Sequence, residues 1–196
     1  MRAYLRHGLR GDASRLAGWA AETGLPSLSV LEIGGGVGAI QAQLLREGAA
    51  AGTVVDVVPA YEQYARELAG QIGIEERTRF VVADLTERAD AVDPADVVAL
   101  RRVVCCSPEG PRLLGIGAAL TRRVLVASYP RRTAASRAVA WLQNHIFALV
   151  RREFRVYIHD PAALDAAVRE HGLQRTAFHR GLVWESVAFE RPTPSA

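Results

Sequence analysis

Val30-Leu31-Glu32-Ile33-Gly34-Gly35-Gly36-Val37-Gly38 is the stretch from which the architecture of this chain is read. The apolar run Leu28-Ser29-Val30-Leu31-Glu32-Ile33 reads as a buried strand. The glycines behind it let the backbone adopt positive φ and approach a ligand closely. Residues 39–47 then carry Ile40, Leu44 and Leu45 on one helical face, and Gly48 closes the segment. The start of that helix offers free amides and partial positive charge to whatever lies in front of it.

The same alternation extends in both directions. Upstream, residues 12–23 form a predicted helix with Leu16, Trp19 and Ala20 at helical spacing, ended by Gly24 and Pro26. Downstream, strands are predicted over 52–56, 79–83, 96–100 and 124–128, the fourth continuing weakly into Val103 and Val104. Between them, one helix follows Pro59 with Tyr61, Tyr64, Ala65 and Leu68 in period, and another covers 112–120. Residues 132–151 read as one long helix, and Pro161 opens a shorter one ending near Gly172. Residues 174–178 and 183–189 alternate with period two, a hairpin through His179-Arg180-Gly181. This order predicts an α/β protein with a doubly wound, mostly parallel sheet and a terminal antiparallel hairpin. It is one domain over residues 1–190, with 191–196 expected as a disordered tail.

Composition narrows the chemistry. The chain has 196 residues, 49% hydrophobic and 23% charged, enough for one packed domain. All 24 Lys+Arg positions are arginine. With no lysine, Schiff-base catalysis and the P-loop are excluded. The arginines fall in scattered pairs and the formal charge is only +3, so no nucleic-acid partner is expected. Apolar runs are broken well short of membrane-spanning length, and no apolar stretch backs the basic N-terminus. Neither stable membrane insertion nor secretion is therefore expected, and the expected location is the cytoplasm. The adjacent Cys105 and Cys106 make neither an unstrained disulfide nor a zinc site, and no metal is expected.

The loop after the first strand lies at the carboxyl edge of the sheet, where such folds bind ligands. Two ligand classes compete for it. Gly34-x-Gly36-x-x-Ala39 with Asp56 about twenty residues on satisfies the dinucleotide pattern, so an NAD-binding module stays open. Against it stands Glu32, whose carboxylate would repel a pyrophosphate and suits a cationic amino-acid moiety. Gly38 adds a second Gly-x-Gly step, and Asp84 follows the third strand. Three acids ending three strands suit a sulfonium ligand carrying an amine, a ribose diol and an adenine.

These segments resemble the class I S-adenosylmethionine-dependent methyltransferases: Val30 to Gly38, Val54-Val55-Asp56-Val57-Val58-Pro59-Ala60-Tyr61, Phe80-Val81-Val82-Ala83-Asp84-Leu85 and Asp96-Val97-Val98-Ala99-Leu100. The resemblance implies a seven-stranded sheet in the order 3-2-1-4-5-7-6 and S-adenosylmethionine as cofactor. It also implies a binding set: Glu32, Gly34, Gly36 and Gly38 around the methionine part, Asp56 and Val57 at the ribose, Asp84 and Leu85 at adenine, with Arg101 beside them. Around Arg102-Val103-Val104-Cys105-Cys106-Ser107-Pro108 the chain is similar to a small bacterial group that looks like the magnesium-protoporphyrin O-methyltransferases. There a His-Tyr-Pro follows strand four; here Cys106-Ser107-Pro108 stands in its place. Tyr4 matches an N-terminal-arm tyrosine of that family.

Methyl transfer asks the protein to align donor and acceptor, to exclude water and, for an oxygen or nitrogen acceptor, to take a proton. Cys106, His145, His159 and Tyr4 are the catalytic candidates, each with a plain packing alternative. Trp141, Phe147 and Tyr157 are expected to make an apolar acceptor pocket or to pack on the sheet or across a homodimer. The predicted activity is methylation of a small aromatic or lipophilic molecule, on oxygen before nitrogen or carbon. The alternatives are a non-methylating binder or cyclase on the same fold and, behind these, the NAD module.

Overall fold

The computed structural model describes residues 2–192. Seven strands form one sheet: β1 (Ser29–Ile33), β2 (Ala51–Asp56), β3 (Thr78–Val82), β4 (Ala95–Arg101), β5 (Thr121–Pro130), β6 (Gln174–Arg180) and β7 (Trp184–Glu190). Their order is β3-β2-β1-β4-β5-β7-β6. The first five strands pair in parallel, and β7 runs antiparallel between β5 and β6. The expected doubly wound sheet with its terminal hairpin is therefore what the chain forms.

Strand periodicity sorts the core into two layers. Val30, Val97, Val124 and Val126 face one side, under α2 (Asp12–Ala21), α3 (Ala39–Arg46) and α4 (Ala60–Ile72). Leu31, Val98, Leu125 and Ala127 face the other, against Leu114 of α5 (Gly110–Ala119) and Leu164 of α7 (Pro161–Arg169). All eight strand residues are buried, and buried β-branched strands covered on both faces are what a parallel sheet needs. Sheet order reverses between β1 and β4, which puts the glycine loop at the switch point.

Several local features depart from the sequence reading. A short helix, α1 (Arg2–His7), precedes the first predicted one. Six residues hold less than two turns of pattern, too little for periodicity to register. The fourth strand does not run on into Val103 and Val104. Arg102 takes φ +56°, and residues Val104–Cys106 wind into a 3-10 turn. The long helix that follows β5, α6 (Ala134–Leu149), is the least buried, with only Ala140 inside. Trp141 is 63% exposed, and Leu142 and Ile146 are about half exposed. The helix is tied instead to the returning chain, where Asn144 exchanges two hydrogen bonds with the Val156 backbone, both 2.8 Å. Of the expected tail, residues 193–196 lie outside the described ones. Arg191 is anchored, its guanidinium donating to the His171 and Thr121 carbonyls at 3.0 and 2.8 Å. Among the described residues no helix is long and apolar enough to cross a membrane.

Candidate active site

A cavity of about 650 Å³ opens at the carboxyl ends of β1, β2 and β4, within the usual size range of small-molecule sites. The glycine loop forms its near wall. Gly34 has φ +61°, and a Cβ there would overlap the Val103 side chain. Gly38 has φ +74° and is pressed against Val54 in the same way. At Gly36 a Cβ would meet only the Tyr61 ring, at 3.9 Å, so this backbone faces open space.

Asp56, at the end of β2, is fixed by that loop. Its Oδ2 accepts from Gly36 N at 2.9 Å and its Oδ1 from Val58 N at 3.0 Å. Each carboxylate oxygen keeps a second acceptor direction for a ligand. Val57 lies exposed along the cavity. Asp84 Oδ1 accepts from Thr86 N and Oγ1 at 2.8 and 2.7 Å, a tight turn that sets the buried Leu85 into the cavity wall.

Glu32 lines the cavity but is only 3% exposed. Its Oε2 accepts from Gln41 N at 2.8 Å, in the first turn of α3, a favourable place for a carboxylate. Burial still wins and pushes the carboxyl up to about 7; the Gln41 amide and nearby Arg101 oppose it only in part. Moving a carboxyl from 4.5 to about 7 favours the protonated fold by about 3 kcal/mol. The fold binds that proton and the unfolded chain does not, so this contribution is present at acid pH and is lost as pH rises from 4.5 through about 7.

At the end of β4, Arg101 and Arg102 converge on Asp12 of α2. Arg101 Nη2 donates at 3.0 Å, and Arg102 donates through Nε at 2.8 Å and Nη2 at 2.9 Å. Ser128 Oγ adds a hydrogen bond at 3.2 Å. Burial alone would raise the Asp12 carboxyl, but the two guanidiniums hold it below the usual carboxylate range. Arg102 also lies over the Trp184 ring, 4.4 Å from its centroid.

The Arg102 turn presents Cys106, exposed, and Cys105, buried. Both thiols donate to the Arg102 carbonyl, at 3.4 and 3.5 Å. The neighbouring Cys105 thiol lowers Cys106, while Cys106 and burial raise Cys105. Cys106 lines the cavity together with Ser107, Pro108, Glu109 and Phe154.

The cofactor residues expected from the sequence thus surround one cavity, with Gly38 packed behind its wall. Of the four catalytic candidates only Cys106 lines it. His159 Nε2 sits 3.0 Å from both the Val104 and the Ser107 carbonyl. Two acceptors require that this nitrogen carry the proton, so His159 braces the turn that displays Cys106. His145, on exposed α6, contacts the Trp141 carbonyl at 2.8 Å and its ring at 4.0 Å. Tyr4 is buried, donating to Gln43 Oε1 at 3.1 Å. Trp141, Phe147 and Tyr157 do not line the cavity either; Phe154, from an irregular segment with no periodicity to betray it, does. Arg102, Tyr61 and Glu109 are further wall residues that sequence reasoning passed over, as is Asp12, which binds Arg102. An acid opening a helix reads as a cap, and only its place beside β4 and β5 reveals its partners.

No family model matches the chain, and no curated protein is similar to it in sequence. Solved structures are similar. The magnesium protoporphyrin IX methyltransferase of Synechocystis, crystallised with SAH, aligns with TM-score 0.73 at 20% identity over 92% of this chain and 81% of that one. The N-methyltransferase NodS of Bradyrhizobium japonicum aligns with TM-score 0.64 at 15% identity, over 92% of this chain and 94% of its own. The [4+2]-cyclase SpnF aligns with TM-score 0.66 at 13% identity, over 91% and 81%. The chain therefore has the α/β methyltransferase fold, one that is shared with a cyclase.

Proposed function

We propose that this protein is an S-adenosylmethionine-dependent methyltransferase acting on a small aromatic or lipophilic acceptor, with oxygen favoured as the attacked atom. The supporting observation is the convergence of Glu32, Asp56 and Asp84 with the open backbone at Gly36 on one cavity. That donor set fits a ligand bearing a cationic amine, a diol and an adenine, and a buried carboxylate at Glu32 opposes a pyrophosphate. When bound, the cofactor supplies an electrophilic methyl group together with its leaving group. Asp56 would hold the ribose hydroxyls, Asp84 and Leu85 the adenine, and Glu32 with the loop amides the amino-acid end.

The acceptor would lie where the Cys106 turn borders the cavity. Phe154 and Pro108 give it apolar walls, and Cys106 and Glu109 are the groups there able to take a proton. His159 acts on this region by holding the Cys106 turn, a positioning residue.

Calorimetry with S-adenosylhomocysteine and NAD tests the reading. Saturable binding of the first is expected; binding of NAD with no response to the homocysteine analogue overturns it. Asp56→Asn should weaken S-adenosylhomocysteine by about 1–3 kcal/mol, the worth of charge-assisted contacts; an unchanged Kd removes Asp56 from the site. With labelled cofactor, turnover is expected on a panel of phenolic and lipophilic acids and alcohols. Turnover confined to nucleic acid refutes the acceptor class, and tight cofactor binding without any transfer places the chain with non-methylating members of the fold.

Glu32 makes binding pH-dependent. A cationic amine favours the ionised carboxylate, so the analogue should bind roughly tenfold more weakly at about pH 5.5 than at about pH 8. Glu32→Gln should flatten that dependence. A wild-type Kd constant across this range would show that the ligand does not engage Glu32.

A further inference from the structure

A second cleft, about 440 Å³, shares Arg101 and Arg102 with the main cavity as wall residues. It lies between the start of α2 and the β6–β7 turn. Four arginines line it, Arg10, Arg15, Arg101 and Arg102, against the single carboxylate of Asp12. Asp12 is already occupied by Arg101, Arg102 and Ser128. Among the described residues, the guanidiniums of Arg10 and Arg15 make neither an ion pair nor a hydrogen bond, so the cleft carries uncompensated positive charge.

Two further wall atoms point the same way. Arg101 Nε and Ser186 Oγ are buried and have no hydrogen-bond partner among the described residues, and Ser186 is only 1% exposed. Buried polar atoms are nearly always paired, so these two are polar groups beside the cleft that the fold itself leaves unsatisfied. The remaining wall carries His179 and an apolar patch. Trp184 lies under Arg102, and Leu182 and Val183 are 94% and 55% exposed beside it. Cations on a low-dielectric wall focus their field into the cleft, and the guanidinium fork matches a carboxylate or phosphate.

We propose that this cleft is a subsite for an organic anion: a carboxylate or phosphate held by Arg10 and Arg15, on an apolar body lying against Leu182, Val183 and Trp184. Its position beside the Arg101–Arg102 wall makes it the seat for an acidic tail of the acceptor, a role that rests on the methyltransferase reading. Anion binding itself does not rest on it.

The test uses the full chain without cofactor. 1-Naphthoate, 1-naphthyl phosphate, uncharged 1-naphthol and inorganic phosphate are titrated by calorimetry and by Trp fluorescence. One or both naphthyl anions should saturate, with naphthol at least about tenfold weaker, and which anion binds tighter identifies the acid. Arg10→Ser with Arg15→Ser should weaken the anions by about tenfold or more, while Arg66→Ser, an exposed arginine on α4, should not. Both cleft arginines lie at the surface, and an unchanged Tm confirms that their replacement leaves the fold intact. Absence of saturation, equal binding of naphthol, or anion binding indifferent to the double variant each overturns the proposal. Inorganic phosphate binding as well as naphthyl phosphate reduces the cleft to a simple ion site and overturns it too. S-Adenosylhomocysteine titrated in parallel keeps the two readings apart: naphthoate binding without it refutes the methyltransferase reading alone.

Discussion

Asp12→Ala should lower folding stability by about 2–3 kcal/mol, read by urea unfolding. Removing one member of a buried ion pair costs roughly 3–5 kcal/mol because the partner charge is left uncompensated. Here the carboxylate is buried, but the side chains of Arg101 and Arg102 are 34% and 40% exposed. Water can resolvate them in part, which places the loss below the fully buried figure. Asp12→Asn should cost less, since it retains hydrogen-bond acceptors, and Asp12→Ala combined with Arg102→Ala should cost less than the sum of the two. A strictly additive double variant would show that the pair is not coupled. The sign with pH is also fixed: a carboxyl held below its unfolded value contributes stability above about pH 4 that is lost as pH falls further. Glu32 acts in the opposite sense between 4.5 and about 7. Wild-type stability should therefore rise out of the acid range and then decline towards neutrality, and Glu32→Gln should remove the decline.

Gly34→Ala is expected to cost about 2–5 kcal/mol and to abolish cofactor binding. The left-handed backbone costs an L-residue about 1–2 kcal/mol, and overpacking against Val103 adds about 1–3. Val103 stands immediately before the turn that carries Cys106, so relieving the overlap displaces the far wall of the cavity as well as the loop. Adding Val103→Ala should restore the packing part and leave the backbone part. Gly18→Ala is the contrast. It lies within α2, a Cβ there meets nothing within 4 Å, and the substitution should stabilise by about 0.5–1 kcal/mol. Loss of stability at Gly18 comparable to that at Gly34 would show that glycine replacement as such, rather than positive φ and the Val103 overlap, sets the cost.

The sheet was legible because its information is local. Valine, leucine and isoleucine runs of four to six residues, separated by helical periods, specify buried parallel strands wherever they pair. The positive φ at Gly34, Gly36 and Gly38 follows from the same short stretch. Asp56 and Asp84 reach the ligand cavity because each stands where its strand ends, and strand ends are visible in sequence. Periodicity fails where it has too few turns, as in α1, and where one residue reverses it, as Arg102 does by taking φ +56°.

Composition and pattern therefore established a doubly wound sheet and a glycine loop flanked by three acids, each from residues close together in the chain. Three things came from contacts between residues far apart. His159 was drawn to the Val104 and Ser107 carbonyls, more than fifty positions away, which took it out of the cavity and left Cys106 in it. The apolar face of α6 turned outward because Asn144 ties that helix to Val156 and not to the sheet, so that Phe154 lines the cavity in place of Trp141. Asp12 met Arg101 and Arg102 across about ninety positions. Side-chain periodicity encodes which face is buried; it does not encode which distant polar groups must satisfy one another once water has been excluded, and in this protein those pairings shape the cavity wall around Cys106.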